Sequence, residues 1–174
     1  MAKLRKMLGD VMSQDCLAIM ALIGTQSKHT VEKWAVEYAA EKVIPIYTEA
    51  CPGEDVLPGL VEKCREYIAG DMKLSGIKPL ISEGRKLAST TKGDVAQAAA
   101  RAVSTACAAI TTPTNAFGFL MYAAAAVAYT ELGLGRPQEE YDAVATREMA
   151  CALESLKAVA VPDEPNPVKV VWNC

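Results

Sequence analysis

The side chains able to do chemistry in this chain are few and scattered. Of its 174 residues one is a histidine, His29, and six are cysteines, at positions 16, 51, 64, 107, 151 and 174. An imidazole titrating near pH ~6.5 could act as a general base or a metal ligand. No serine–histidine or cysteine–histidine arrangement can be read around His29, and the position equally suits a polar residue beside a helix start. None of the cysteines forms a CxxC pair and the shortest gap runs from Cys51 to Cys64, so a zinc site would need distant cysteines to converge. The chain is not cysteine-dense for its size, which predicts reduced, mostly buried thiols. Glu37 and Glu41 lie four residues apart and share a face if the segment is helical. Two such carboxylates could bind a metal or share a proton. A di-metal bundle adds a Glu-x-x-His motif on each of two further helices; this sequence has none, and the pair reads as surface charge. There is no phosphate-binding loop, and Gly133-Leu134-Gly135 follows a helical pattern rather than a strand. The expectation is therefore no catalytic residue, no metal, no cofactor and no enzymatic turnover.

Two polar features sit in apolar surroundings. Arg101 lies among alanines, where a guanidinium must pair, snorkel to solvent or face a cavity. The break at Ile110 to Asn115 joins the two most apolar segments and carries Thr111, Thr112, Thr114 and Asn115. Their side chains either cap helix ends or line a concave rim.

The elements that must position these groups are helical. Hydrophobic residues make up 51% of the sequence and aromatic residues only 6%. Alanine, leucine, valine and methionine must fill the interior, which calls for closely approaching helices. Seven helices are predicted. The first spans about Lys3 to Ile23, with Met7, Leu8, Val11, Met12 and Cys16 at helical spacing. The second begins with Thr30 as cap and continues through Tyr47, kinked at Pro45. The third spans Val56 to Ala69 with Asp55 as cap. The fourth runs from about Lys78 to Thr90, interrupted by Gly84. The fifth is capped by Asp94 with Gln97 three residues on. The sixth, from Ala116 to Leu132, carries no charge before Glu131 and should be central. The seventh starts at Pro137 and ends near Val159. Pro162, Pro165 and Pro167 forbid further helix, and Val168 to Trp172 reads as an extended apolar segment that docks on its own domain or on a neighbouring chain. The reading is an all-α, single-domain bundle over residues 1–160, with an extended, proline-rich tail over 161–174.

Net charge is −3, which argues against a nucleic-acid partner. From Glu131 to Glu164 eight acids face three bases. That stretch is either a solvated helix face or an acidic docking surface for a basic partner, centred on Glu139, Glu140 and Asp142. The longest apolar run, Ala116 to Tyr129, has 14 residues, too few to span a bilayer. Asp10, Ser13, Gln14 and Asp15 interrupt the basic and apolar segments that a secretory signal would need to join. A cytoplasmic protein with no membrane partner is expected.

Two stretches together resemble the Imm5-like immunity proteins of bacterial polymorphic toxin systems. His29 to Pro45 (HTVEKWAVEYAAEKVIP) is similar to that family's opening helix, in which a histidine precedes Trp-Ala. Ala99-Ala100-Arg101-Ala102, with the alanine-rich run to Tyr129, is similar to its Ala-Ala-Arg-Ala segment. The resemblance covers about Thr30 to Ala158. It departs at Thr112 and Asn115, near which the family often carries histidines, and at Tyr38, where a cysteine is common. It implies a small all-helical protein that binds and neutralises a cognate toxin protein, without catalysis. The alternative is a small-ligand-binding domain or enzyme with a pocket between the fifth and sixth predicted helices, lined by Arg101, Thr112, Asn115 and Trp34. A homodimer formed by tail exchange is a third reading.

Overall fold

A segment without a charged residue for more than three turns cannot turn any side to water, and it settles the centre of the molecule. The computed structural model describes residues 3–173. Among these the regular structure is helical: α1 (Gln14–Ile23), α2 (Lys28–Lys42), α3 (Ile44–Ala50), α4 (Val56–Ile68), α5 (Leu74–Thr90), α6 (Asp94–Cys107), α7 (Asn115–Leu132) and α8 (Gln138–Val159), with one 3-10 turn at Ala108–Ile110. The fold is all-α, as expected. α7 buries Phe117, Phe119, Leu120, Met121 and every residue from Ala123 to Tyr129. α6 packs against it more extensively than any other pair of helices does, and its Ala99, Ala100, Ala102, Val103 and Ala106 are fully buried. These small side chains let the two helices act as the central pair. α2, α3, α4 and α5 pack on α6, while α8 and α1 pack on the α7 side. None of the described helices is long and apolar enough to cross a membrane.

Several predicted boundaries move, each for a local reason. The first helix starts at Gln14 rather than Lys3, because Ser13 caps it by accepting the Cys16 N–H. Leu8 instead donates its N–H to Met121 O at 3.1 Å and buries its side chain. Gly9 takes a φ of +119° there, a conformation open to glycine and strained for other residues. Pro45 breaks the helix rather than kinking it: α2 ends at Lys42, and Pro45 sits in the first turn of α3, where its missing N–H costs nothing. That division turns seven predicted helices into eight. The cap of α2 is Ser27, not Thr30, and its hydroxyl accepts the Thr30 N–H at 3.2 Å. Asp55 and Asp94 give no side-chain cap; Gly93 occupies the cap position of α6, and Gln97 reaches back to Thr91 O at 3.1 Å. Pro137 is the residue before α8, not its first. α5 starts at Leu74, which leaves Pro79 inside it, and it runs through Gly84 uninterrupted. A Cβ at Gly84 would lie 2.6 Å from Leu60 Cδ2, so the glycine sets how closely α5 approaches α4.

The segment after α8 folds back onto the chain's own helices. Val168 donates to Gln26 O at 2.7 Å, Ser27 and Pro167 form an isolated bridge, and the Trp172 ring meets Phe117 edge-on at 5.9 Å. Of the described cysteines Cys16, Cys64 and Cys107 are buried, Cys51 is half-buried and Cys151 is exposed. Cys174 lies outside the described residues.

Candidate functional site

α2 presents two rows of side chains. Its inner row packs inward: Val31, Trp34, Ala35 and Tyr38 are buried. The outer row, His29, Lys33, Glu37 and Glu41, repeats every four residues and so lies along one edge. Ser155, Ala158 and Val159 of α8 face that edge, and between the two helices runs a groove of about 430 Å³ lined also by Thr30, Trp34 and Tyr38.

The floor of the groove is aromatic and fixed. Trp34, Tyr38 and Phe119 form a triangle with all three ring centroids 5.9 Å apart. Edge-to-face ring pairs of this kind add about 0.5–1.5 kcal/mol beyond the area they bury. The Trp34 indole N–H donates to Ser155 Oγ at 2.8 Å, which ties α2 to α8 across 121 positions of sequence. Tyr38 lines the groove, and its hydroxyl has no hydrogen-bond partner among the described residues. Burial, reinforced by the Glu148 carboxylate, raises its pKa above the ordinary phenol range. It therefore stays protonated and keeps one donor and its acceptor capacity.

The rim is charged in blocks. Arg65 of α4 forks onto Glu37 with contacts of 2.9 and 2.8 Å, and this guanidinium holds the Glu37 carboxyl below its usual range. Lys33 and Glu41 are exposed and form no ion pair among the described residues. One end of the groove thus offers His29 and Lys33, the other the unpaired Glu41.

The start of α2, beside the groove, is closed by the tail. Glu164 accepts the Ser27 N–H at 2.7 Å, the Ser27 hydroxyl at 2.8 Å and the Thr30 hydroxyl at 2.7 Å. These donors hold its carboxyl below the usual range. Buried Gln26 completes the latch by donating to Val161 O and accepting from Val161 N.

The sequence-predicted residues are not gathered into one place. Trp34 lines the α2–α8 groove, together with His29. Arg101, half-buried on α6, faces a separate small cavity with Arg5, Lys6, Asp94, Gln97 and Tyr129. It has no ion pair among the described residues, so it takes the cavity-facing option. Thr112 is exposed in the turn before α7. Asn115 donates its side-chain amide to Ala108 O at 3.3 Å, and the Thr111 hydroxyl donates to the same carbonyl at 3.0 Å. The turn is therefore a capped one. Glu139 is exposed, Glu140 pairs with Arg136 at 2.8 Å, and Asp142 accepts from Gln138 at 2.8 Å. Asp142 also lines a second groove, of about 420 Å³, with Asp10, Asp15, Arg5 and Thr146.

Sequence reasoning missed Arg65, Ser155 and the gathering of Asp10, Asp15 and Asp142 around one groove, because each juxtaposition joins distant segments. No group of three or more histidine, cysteine, aspartate or glutamate side chains converges as a metal site among the described residues.

No curated protein and no solved structure matches this chain. The model of one protein family, described as Imm-5 like putative immunity protein, matches residues 21–155. That span runs from the end of α1 through Ser155 of the groove, and the chain belongs to this family.

Proposed function

We propose that the protein is an immunity protein that binds a cognate bacterial toxin and neutralises it by occupation rather than by chemistry. The observation that carries the reading is the family match over residues 21–155. The exposed charge supports it. The first half of α8 displays Glu139 and Asp142, and Asp10 and Asp15 of the N-terminal region extend the acidic surface beyond α8. Met12 and Leu17 on the neighbouring surface are 68% and 45% exposed. Acid around exposed apolar side chains suits a basic partner, since charge steers the encounter and apolar contact retains it. In this reading the protein acts in the cytoplasm of the toxin-producing cell.

The test is co-expression with the toxin encoded beside the gene, scored as restored growth and as a purified complex. The variant Glu139→Lys/Glu140→Lys/Asp142→Lys should slow association by about tenfold or more at low salt, with the difference shrinking as salt rises. Growth that is not restored removes the immunity reading. Unchanged association kinetics removes the acidic surface from it.

A further inference from the structure

α5 carries an unbalanced positive charge on an acidic protein. From Lys73 to Lys92 the sequence holds five bases (Lys73, Lys78, Arg85, Lys86 and Lys92) against one acid, Glu83, and the next acids lie outside this stretch at Asp71 and Asp94. All five cations are exposed, and none forms an ion pair among the described residues. The helix buries Ile77, Ile81, Gly84 and Ala88 and packs on α4 and α6. Its outer side carries Ser75, Lys78, Ser82, Arg85, Lys86 and Ser89, all exposed and recurring at three- and four-residue spacing, so they form one stripe. Glu83 lies about 110° around the helix from the middle of that stripe. Lys78, Arg85 and Lys86 fall within about 12 Å along the axis, and the Ser75 and Ser82 hydroxyls have no hydrogen-bond partner among the described residues. The acidic surface of α8 belongs to a helix that packs on α7, α1 and α2 instead. The net charge of −3 therefore averages over two regions of opposite sign.

The residue types on the stripe choose among polyanions. Protein interfaces are depleted of lysine and serine and are anchored by aromatic side chains, whereas this stripe is lysine, arginine and serine with no aromatic residue. A lipid surface takes up apolar side chains, but α5 buries its apolar side and leaves only Leu74, 37% exposed, at one end. Single-stranded nucleic acid binds by stacking its bases on aromatic rings, which the stripe lacks. The phosphates of a duplex take cations and hydroxyl donors, which are what the stripe presents. We infer that the outer face of α5 binds the phosphate backbone of a nucleic-acid duplex without reading its bases. Lys78, Arg85 and Lys86 neutralise phosphates, and Ser75 and Ser82 donate hydrogen bonds to phosphate oxygens. The surface is separate from the acidic one on α8, and the inference stands whether or not the protein binds a toxin.

The experiment is a titration of a fluorescently labelled DNA duplex of about two helical turns with the full chain, followed by anisotropy between about 50 and 200 mM salt. Binding should appear at the low-salt end, equally for duplexes of scrambled sequence. Log affinity should fall against log salt with a slope of about −3, as three neutralised phosphates require. Lys78→Gln/Arg85→Gln should weaken binding about tenfold or more at low salt and leave a slope of about −1. Lys63→Gln/Lys157→Gln changes the net charge by the same amount at cations that are ion-paired elsewhere on the surface, and it should leave affinity and slope unchanged. All four substituted side chains are exposed, so both variants should keep the urea midpoint of the parent. Phosphatidylserine vesicles and polyglutamate, added as competitors at equal total charge, should bind about threefold or more weakly than the duplex. Absence of binding at the low-salt end, an unchanged slope in Lys78→Gln/Arg85→Gln, equal weakening by the control variant, or tighter binding to either competitor would each overturn the inference.

Discussion

Truncating Phe119 to alanine gives the sharpest test of the core beneath the groove. The phenyl ring has no exposed surface and meets Trp34 at 64° and Tyr38 at 67°, both at 5.9 Å. Removing it deletes the buried ring and leaves a cavity that α7, held by its buried neighbours Phe117, Leu120 and Ala123, cannot fully collapse to fill. The expected cost is about 3–5 kcal/mol, of which the two ring contacts supply on the order of 1–3 kcal/mol. A domain with about 5–15 kcal/mol of total stability would feel this as a large fraction. With a urea dependence of about 2 kcal/mol per molar, the unfolding midpoint should fall by roughly 1.5–2.5 M. Far-UV circular dichroism would follow the helices, and tryptophan fluorescence would follow the same transition from Trp34. Phe119→Leu, which refills most of the volume, should recover at least about half of the loss. A loss under about 1 kcal/mol with an unchanged slope would refute the enclosure of this ring and with it the rigid floor of the groove.

Two further predictions rest on single contacts. Ser155→Ala leaves the buried Trp34 indole N–H without its acceptor and should cost about 1–3 kcal/mol in urea unfolding; a neutral result would mean that solvent replaces the serine. Glu164 has a folded-state pKa below its ordinary value, so its contribution is present above the ordinary carboxylate range and is lost as pH falls through it toward the folded value. Glu164→Gln should therefore lose less stability than the parent chain between about pH 6 and pH 3, read as the unfolding midpoint at each pH; parallel acid limbs for the two proteins would sink the assignment.

Much of the helical plan was legible because its signals are local. The uncharged run after Ala116 demands burial on all sides, and it became the central α7. Pro162, Pro165 and Pro167 ended the helical pattern where α8 ends. The first helix was overextended because Met7, Leu8, Val11 and Met12 mimic helical spacing. What opposes it is the non-local bond from Leu8 to Met121 and the turn at Gly9, which no periodicity reports. Ser27 lost to Thr30 as the expected cap for a similar reason, since both residues suit the role and a carboxylate from residue 164 decides how they are used. The site was legible only in part. His29 and Trp34 were singled out on one helix, but the groove needs Ser155 and Val159 from the far end of the chain. Arg101 and Asn115 drew notice as polar residues in apolar stretches, yet one faces a small cavity and the other closes a turn.

The latch at Glu164 also constrains the order in which the chain can mature. The donors at Ser27 and Thr30 emerge early in synthesis, whereas their acceptor lies 137 and 134 positions later. Until that acceptor has been made, the Ser27 N–H and the Thr30 hydroxyl must be satisfied by water, while the Ser27 hydroxyl can already cap the Thr30 N–H. The leading end of α2 thus reaches its final form only once the segment beyond α8 has joined it, which couples the order of that helix start to the order of a segment far along the chain.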